Sequence, residues 1–240
     1  MLRNVKFCTL GRITLANYQY SMRDPLSPNR LTLESTVTER DLGILISHNL
    51  KWEQQVSKST RTAQFVLAQI KNSFTCLEPE IIRALYLALV RPQLEYAVSA
   101  WNPSLIQDKN KLEKIQRRTT KLCPKLKKKS YLERLKFFDL TTLEKRRKRG
   151  DLIKFYKFVH GLEEINWVNE LRHLNMDGKT GPTLRRHKYH FYRESKACSA
   201  REEYFVNRVI PLWNGLPEDV VDATSLDSFK ARLDRLSTFS

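Results

Sequence analysis

The chain has 240 residues, with 43 Lys and Arg against 26 Asp and Glu, a formal net charge of +17 and a pI near 9.8. An apolar fraction of 41% with 10% aromatics excludes wholesale disorder, and seven glycines with nine prolines argue against a loop-rich all-β architecture. The basic balance points to an anionic partner, either nucleic acid or an acidic membrane surface, and no apolar run reaches the ~20 residues of a membrane span.

Residues 1–48 read as short strands, with "VKFCTL", "YQYSM" and "LGILIS" punctuated by the turn-forming "RDPLSPNR". The leading residues lack the apolar core of a secretion signal. Cys8, Cys76, Cys123 and Cys198 stand far apart with no CxxC pair, which fits free thiols in a reducing compartment. A nuclear or cytoplasmic protein, not a secreted one, is the expectation.

After Trp52 the period changes to that of a helix, with Val56, Ala63, Val66, Leu67, Ile70 and Phe74 on one face. A second helix is expected from Pro79, burying Ile81, Ile82, Leu85, Tyr86 and Leu89, bending at Pro92 and ending by Pro103. Lys111–Arg149 then holds sixteen cations and four acids, a net +12 of the chain's +17. On a helix, Leu112, Ile115, Thr119 and Leu122 occupy one arc of roughly 80°, and Lys114, Arg117, Arg118 and Lys121 another of roughly 100° on the far side. A disordered charge run has no reason to sort itself so.

"SYLE" at Ser130–Glu133 and "TTLE" at Thr141–Glu144 fit the capping box that starts a helix. The helix from about Leu143 is expected to bury Leu152, Tyr156 and Val159 and to stop at Gly161. Beyond it, "RRHKYHFYRESK" reads as a strand, "VIPLWNGLPEDVV" as a turn-rich apolar segment and "TSLDSFKARLDRL" as a short helix burying Leu226, Phe229 and Leu233. The expected fold is mainly α: a helical bundle with a small N-terminal β element and a mixed α+β C-terminal segment, divided at 1–48, 49–161 and 162–240.

The series "ERDLGILISHNLKWEQQVSKS", "LYLALVRPQLEYAVSAWNP", "KLEKIQRRTTKLCP", "SYLERLKFFDLTTLEKRRKRGDLIKFYKFVHG" and "RVIPLWNGLPEDVVDATSLDSFKARLDRL" resembles the C-terminal part of the reverse transcriptase of non-LTR (jockey-like, LINE-type) retrotransposons. The likeness runs from about Asn4 to Leu236. It implies that the chain begins inside a polymerase palm, that Asp41, Leu42 and Gly43 match a primer-grip hairpin, and that residues 53–160 match the thumb and the region beyond. Two adjacent aspartates, expected in the family's palm, occur nowhere here, and the family's endonuclease domain is absent. No cofactor is therefore expected, since Mg²⁺ would belong to the missing palm site, and the chain is not expected to be an enzyme on its own. The implied partners are RNA, DNA or their hybrid, together with a protein that supplies the missing palm strands.

The candidate nucleic-acid contacts are Lys114, Arg117, Arg118, Lys121, Lys125, Lys127, Lys128, Lys129, Arg146, Arg147 and Arg149. A basic face gains affinity by releasing counterions from phosphates without reading sequence. The bland alternative is a solvated face, although such faces normally interleave both signs. "KLKKKS" and "KRRKRG" also fit weakly specific nuclear import signals. Strand alternation would place Arg185, His187, Tyr189 and Phe191 together for base stacking, against the alternative that the aromatics face the core. A zinc site from His187, His190, Cys198 and His173 lacks tight ligand spacing. Cys123, Tyr86, Tyr96, Trp101 and Trp213 read as core. Rival readings are a helical protein-interaction module and a decaying element remnant with no nucleic-acid role.

Overall fold

The structure is a computed structural model and describes residues 6–7, 20–23, 30–74, 77–165, 171, 187, 189–193 and 203–236. Within them the chain is mainly helical, with short strands confined to the N-terminal part. Strand β1 (Lys6–Phe7) pairs in parallel with β4 (Glu34–Ser35), and β2 (Ser21–Arg23) pairs antiparallel with β3 (Arg30–Thr32). The hairpin β5 (Thr38–Asp41) and β6 (Ile44–Ser47) pairs Asp41 with Ile44 and Thr38 with Ser47. Leu42 and Gly43 form its two-residue turn at φ 43° and 86°, the doubly left-handed geometry that matches strand twist.

Helix α1 (Glu53–Ser73) buries Val56, Ala63, Leu67 and Ile70 as the spacing requires. Phe74 departs from the expectation: it caps the helix in an extended conformation and is left exposed. Helix α2 (Pro79–Leu85) continues through a π turn at Tyr86–Val90 into α3 (Arg91–Glu95). The wide turn stands just before Pro92, where the Arg91 amide donates to Tyr86 O, so the chain absorbs the missing proline donor. The buried stripe is Ile82, Tyr86, Val90 and Leu94. Ile81 and Leu89, expected inside, lie one position off that stripe and are exposed.

Helix α4 (Ile106–Thr120) packs on α1 and carries Leu112 and Ile115 into a core shared with Ile44, Val56, Leu67, Trp101 and Leu143. Helix α5 (Tyr131–Phe137) opens with the full capping box of Ser130 and Glu133. Helix α6 (Leu143–Val159) starts at Leu143 as expected, with its cap one residue later than the motif placed it. Its cap is Thr142, whose hydroxyl accepts from the Lys145 amide at 3.3 Å. Glu144 is thereby moved out of the box and lies 3.4 Å from Lys109 and 3.2 Å from Lys148. Val159 is only half buried, and Gly161 ends the helix region at φ 64°.

A second core joins Leu152, Phe155 and Tyr156 of α6 to Phe191, Val209, Trp213, Phe229 and Leu233. Helix α6 therefore belongs to both cores, and the expected boundary at 161 separates residues that pack together. "VIPLWNGLPEDVV" is helical, not turn-rich: α7 (Phe205–Asn214) accommodates Pro211, and α8 (Glu218–Val221) follows Pro217. The last helix is α9 (Leu226–Arg235). Among the described residues of 185–193 no strand forms; Phe191 makes a single bridge, and His187 and Phe191 are buried. Arg185 lies outside the described residues. No helix among the described residues is long and apolar enough to cross a membrane.

Candidate nucleic-acid interface

Helix α4 builds the surface. Its apolar arc is buried, and Leu122 just beyond it is half buried. Lys114, Arg117, Arg118 and Lys121 on the opposite arc are all exposed. Its acids are turned away from that face: Asp108 is buried and pairs with Lys111 at 2.8 Å, and Glu113 faces α5 and α6. Lys114, Arg118, Lys121, Lys127 and Lys128 have no acidic partner among the described residues, and Arg117 lies 4.7 Å over the Tyr131 ring instead. Lys125 and Lys129 are exposed and lie 3.8 Å from Glu78 and 3.7 Å from Glu133. Such solvated pairs exchange readily for other anions, because each contributes at most ~1 kcal/mol.

The three arginines of α6 stand apart from this surface and correct the expectation. Arg146 makes a two-pronged ion pair with Glu95 at 2.6 and 3.0 Å, and Arg149 one with Asp234 at 2.6 and 2.8 Å. Arg147 is 5% exposed and stacks 4.6 Å over Trp101, with its guanidinium donating to Leu94 O and Asn102 Oδ1. Burial pulls its pKa down to about 10. These side chains hold α6 against α3, Trp101 and α9. The "KRRKRG" import reading loses its ground for the same reason, since the segment is inside a helix with its arginines committed.

The hairpin tip is fixed from two sides. Tyr96 Oη donates to Leu42 O at 2.9 Å, and Lys58 Nζ donates to Gly43 O at 2.5 Å. The Leu45 amide donates to the buried Gln55 side chain at 2.9 Å. Burial and the nearby Arg40 lower the pKa of Lys58. Asp41 and Leu42 project outward, Leu42 at 82% exposure, while a Cβ on Gly43 would sit 3.5 Å from the Tyr96 ring.

A polar network that the charge pattern does not announce lies behind α4. Tyr86 donates to Gln116 Oε1, and Gln116 Nε2 donates to Tyr131 Oη at 3.0 Å and Thr141 O at 2.9 Å. Tyr131 in turn donates to Glu113 Oε1, and the Leu143 amide donates to Glu113 Oε2 at 3.0 Å. Burial raises the Glu113 carboxyl and both tyrosine hydroxyls above their usual ranges. Sequence reading missed Glu113 and Gln116, because a Glu and a Gln beside cations on a helix look like solvated positions.

Among the described residues no group of three or more His, Cys, Asp or Glu is arranged to hold a metal. His173 and Cys198 of the weighed zinc set lie outside the described residues. Cys123 is a buried free thiol. No family model, no curated protein and no solved structure matches the chain.

Proposed function

We propose that this protein binds nucleic acid without sequence preference through the exposed face of α4 and the turn that follows it. The observation that carries the reading is the division of one helix: its oily side is buried, its acids are turned away, and Lys114, Arg117 and Arg118 on its exposed arc have no acidic partner among the described residues. A phosphate backbone is the polyanion whose even charge such a face suits, and affinity comes from released counterions. Lys114, Arg117, Arg118, Lys121, Lys127 and Lys128 are the contacts, with Lys125 and Lys129 available at the edge.

The reading agrees with the resemblance to a truncated retrotransposon reverse transcriptase retaining primer-grip, thumb and post-thumb segments. On that view the chain grips a template–primer duplex, RNA, DNA or hybrid, and does not polymerise alone. The Asp41–Leu42–Gly43 tip would meet a strand end. The β5–β6 hairpin pairs with no further strand among the described residues, which leaves edges for a partner to complete. A nuclear or cytoplasmic location follows from the same reading.

Filter binding of a 20-mer duplex across a salt series tests it. Six phosphate contacts give a log–log slope of about −5, and reversing charge at Arg118 and Lys121 flattens it by about two units. A slope near zero removes nucleic acid from the account, and an unchanged slope in the variant means that the wrong face is named.

A further inference from the structure

Behind the basic face, between α4, α5 and the start of α6, lies a cavity of about 250 Å³, a little under the ~300 Å³ at which small-ligand pockets begin. Its two ends differ in chemistry. Lys109 and Lys148 lie at one end on either side of Glu144. Arg147, adjacent to Lys148 on α6, also lines it; this guanidinium has no carboxylate partner among the described residues, and its buried Nε makes no hydrogen bond. At the other end the Arg117 guanidinium covers Tyr131, with the exposed Leu132 beside it. Lys109 and Arg117 are eight residues apart on α4, ~12 Å at the rise of a helix. Glu113 lies between them; its Oε1 accepts from Tyr131 and, at 3.4 Å, from Gln116, while its Oε2 accepts only the Leu143 amide among the described residues, so Oε2 has capacity for one more donor.

A basic end, a stacking end and a central acceptor over that length match one nucleotide. We propose that the cavity seats a single unstacked nucleotide of a nucleic-acid strand. Its phosphate lies against Lys109 and Lys148 with Arg147 behind them, its base against Arg117, Tyr131 and Leu132, and Glu113 accepts from a sugar or base donor. This rests on the nucleic-acid reading above and adds a strand class to it, because a duplex does not release a base whereas a single strand does. Arg117 is the link, since it belongs to both the exposed face and the cavity.

The test is titration of the full chain with the four nucleoside 5′-monophosphates by ligand-observed NMR, beside the nucleosides and inorganic phosphate alone. The monophosphates bind saturably and about tenfold or more tighter than either fragment, because one molecule engages both ends. Lys109→Ala with Lys148→Ala weakens them about tenfold. Glu144→Gln, which removes the acid between the two lysines, tightens them severalfold, an outcome that damage to the fold cannot imitate. Neither change touches Lys114, Arg118 or Lys121, so duplex affinity stays within about twofold. A chain that binds duplex with a steep salt slope yet shows no saturable monophosphate binding, or binding indifferent to both variants, overturns the cavity proposal and leaves the broader reading standing. A chain that binds neither removes both.

Discussion

Arg208 on α7 reaches across to α6 and to the loop after α3. Its guanidinium donates to both oxygens of Asp151 at 2.9 and 3.1 Å, to Ser99 O at 2.8 Å, to Val98 O at 3.2 Å and to Glu203 O at 3.0 Å. Both charged side chains are more than nine-tenths buried, and Arg208 is the one hydrogen-bond donor to the Asp151 carboxylate among the described residues. Replacing Arg208 by Met keeps the bulk and leaves a buried carboxylate without its hydrogen-bond donor and with only the nearby Arg147 charge to favour it, which costs ~3–5 kcal/mol, toward the lower figure for that reason. That is a large share of the ~5–15 kcal/mol by which domains are stable. Burial already holds the Asp151 carboxyl above its usual range despite Arg208, and in Arg208→Met it rises further. Between the unfolded carboxyl value of ~3.9 and that raised value the folded variant binds the extra proton, so its stability falls as pH rises. The penalty is therefore largest near neutrality and shrinks on acidification, as the raised carboxyl takes up its proton. Urea unfolding followed by tryptophan fluorescence at two pH values measures it, and adding Asp151→Asn recovers most of the loss. A penalty below ~1 kcal/mol at neutral pH, within the range of exposed pairs, or one that grows on acidification, would refute the buried-charge argument.

Leu42 is a non-glycine residue held at φ 43° and largely exposed; Leu42→Asn should raise stability by ~1 kcal/mol, because Asn tolerates that region, and Gly43→Ala should lower it by a similar amount. Chemical denaturation reads both, and a destabilised Leu42→Asn would contradict the turn assignment. Thr142→Ala should cost ~1 kcal/mol by removing the cap of α6, and Thr141→Ala under ~0.5 kcal/mol; the reverse ranking would put the cap where the sequence motif suggested. Burial depresses the pKa of His187, whose Nε2 lies 3.1 Å from Trp213 O. Its contribution is fully present above the unfolded value of ~6.5 and is lost as pH falls below that. Thermal melts of wild type and His187→Gln should converge on acidification, and parallel curves would exclude His187 as the titrating group.

Helix content was legible wherever one buried stripe repeated at three or four residues, as in α1, α4 and α9. It failed where backbone chemistry overrode the pattern. Pro92 suggested a bend, yet a π turn one step earlier supplies the slack and shifts the buried stripe away from Ile81 and Leu89. Pro211 suggested a turn, yet Val209, Ile210 and Trp213 secure the helix around it. The capping box of α5 was readable because both partners are local, whereas Thr141 and Thr142 are equivalent in sequence and only tertiary packing selects between them. Glu113 and Gln116 were invisible as a network because their partners, Tyr86, Tyr131, Thr141 and Leu143, come from three other segments.

The cations make the same point with a measurable consequence. In sequence α6 is even more basic than α4, with seven cations against five and two acids in each, but pairing is a tertiary property. Glu95 and Asp234, brought from α3 and α9, take up Arg146 and Arg149, while Trp101 and the carbonyl of Leu94 take up Arg147. Helix α4 keeps its acids on other sides and, among the described residues, receives none from elsewhere on its outer face. If all eleven candidate cations met phosphates, the salt slope would approach about −10; the six without acidic partners give about −5, and Lys125 and Lys129 extend that to about −7. Opening the Arg146 or Arg149 pair to reach a phosphate exchanges one carboxylate for another anion and strands an acid, so duplex binding offers little net reason to do it. A measured slope beyond about −9 would mean that α6 gives up its partners on binding and that the division between gripping and bracing charges is wrong.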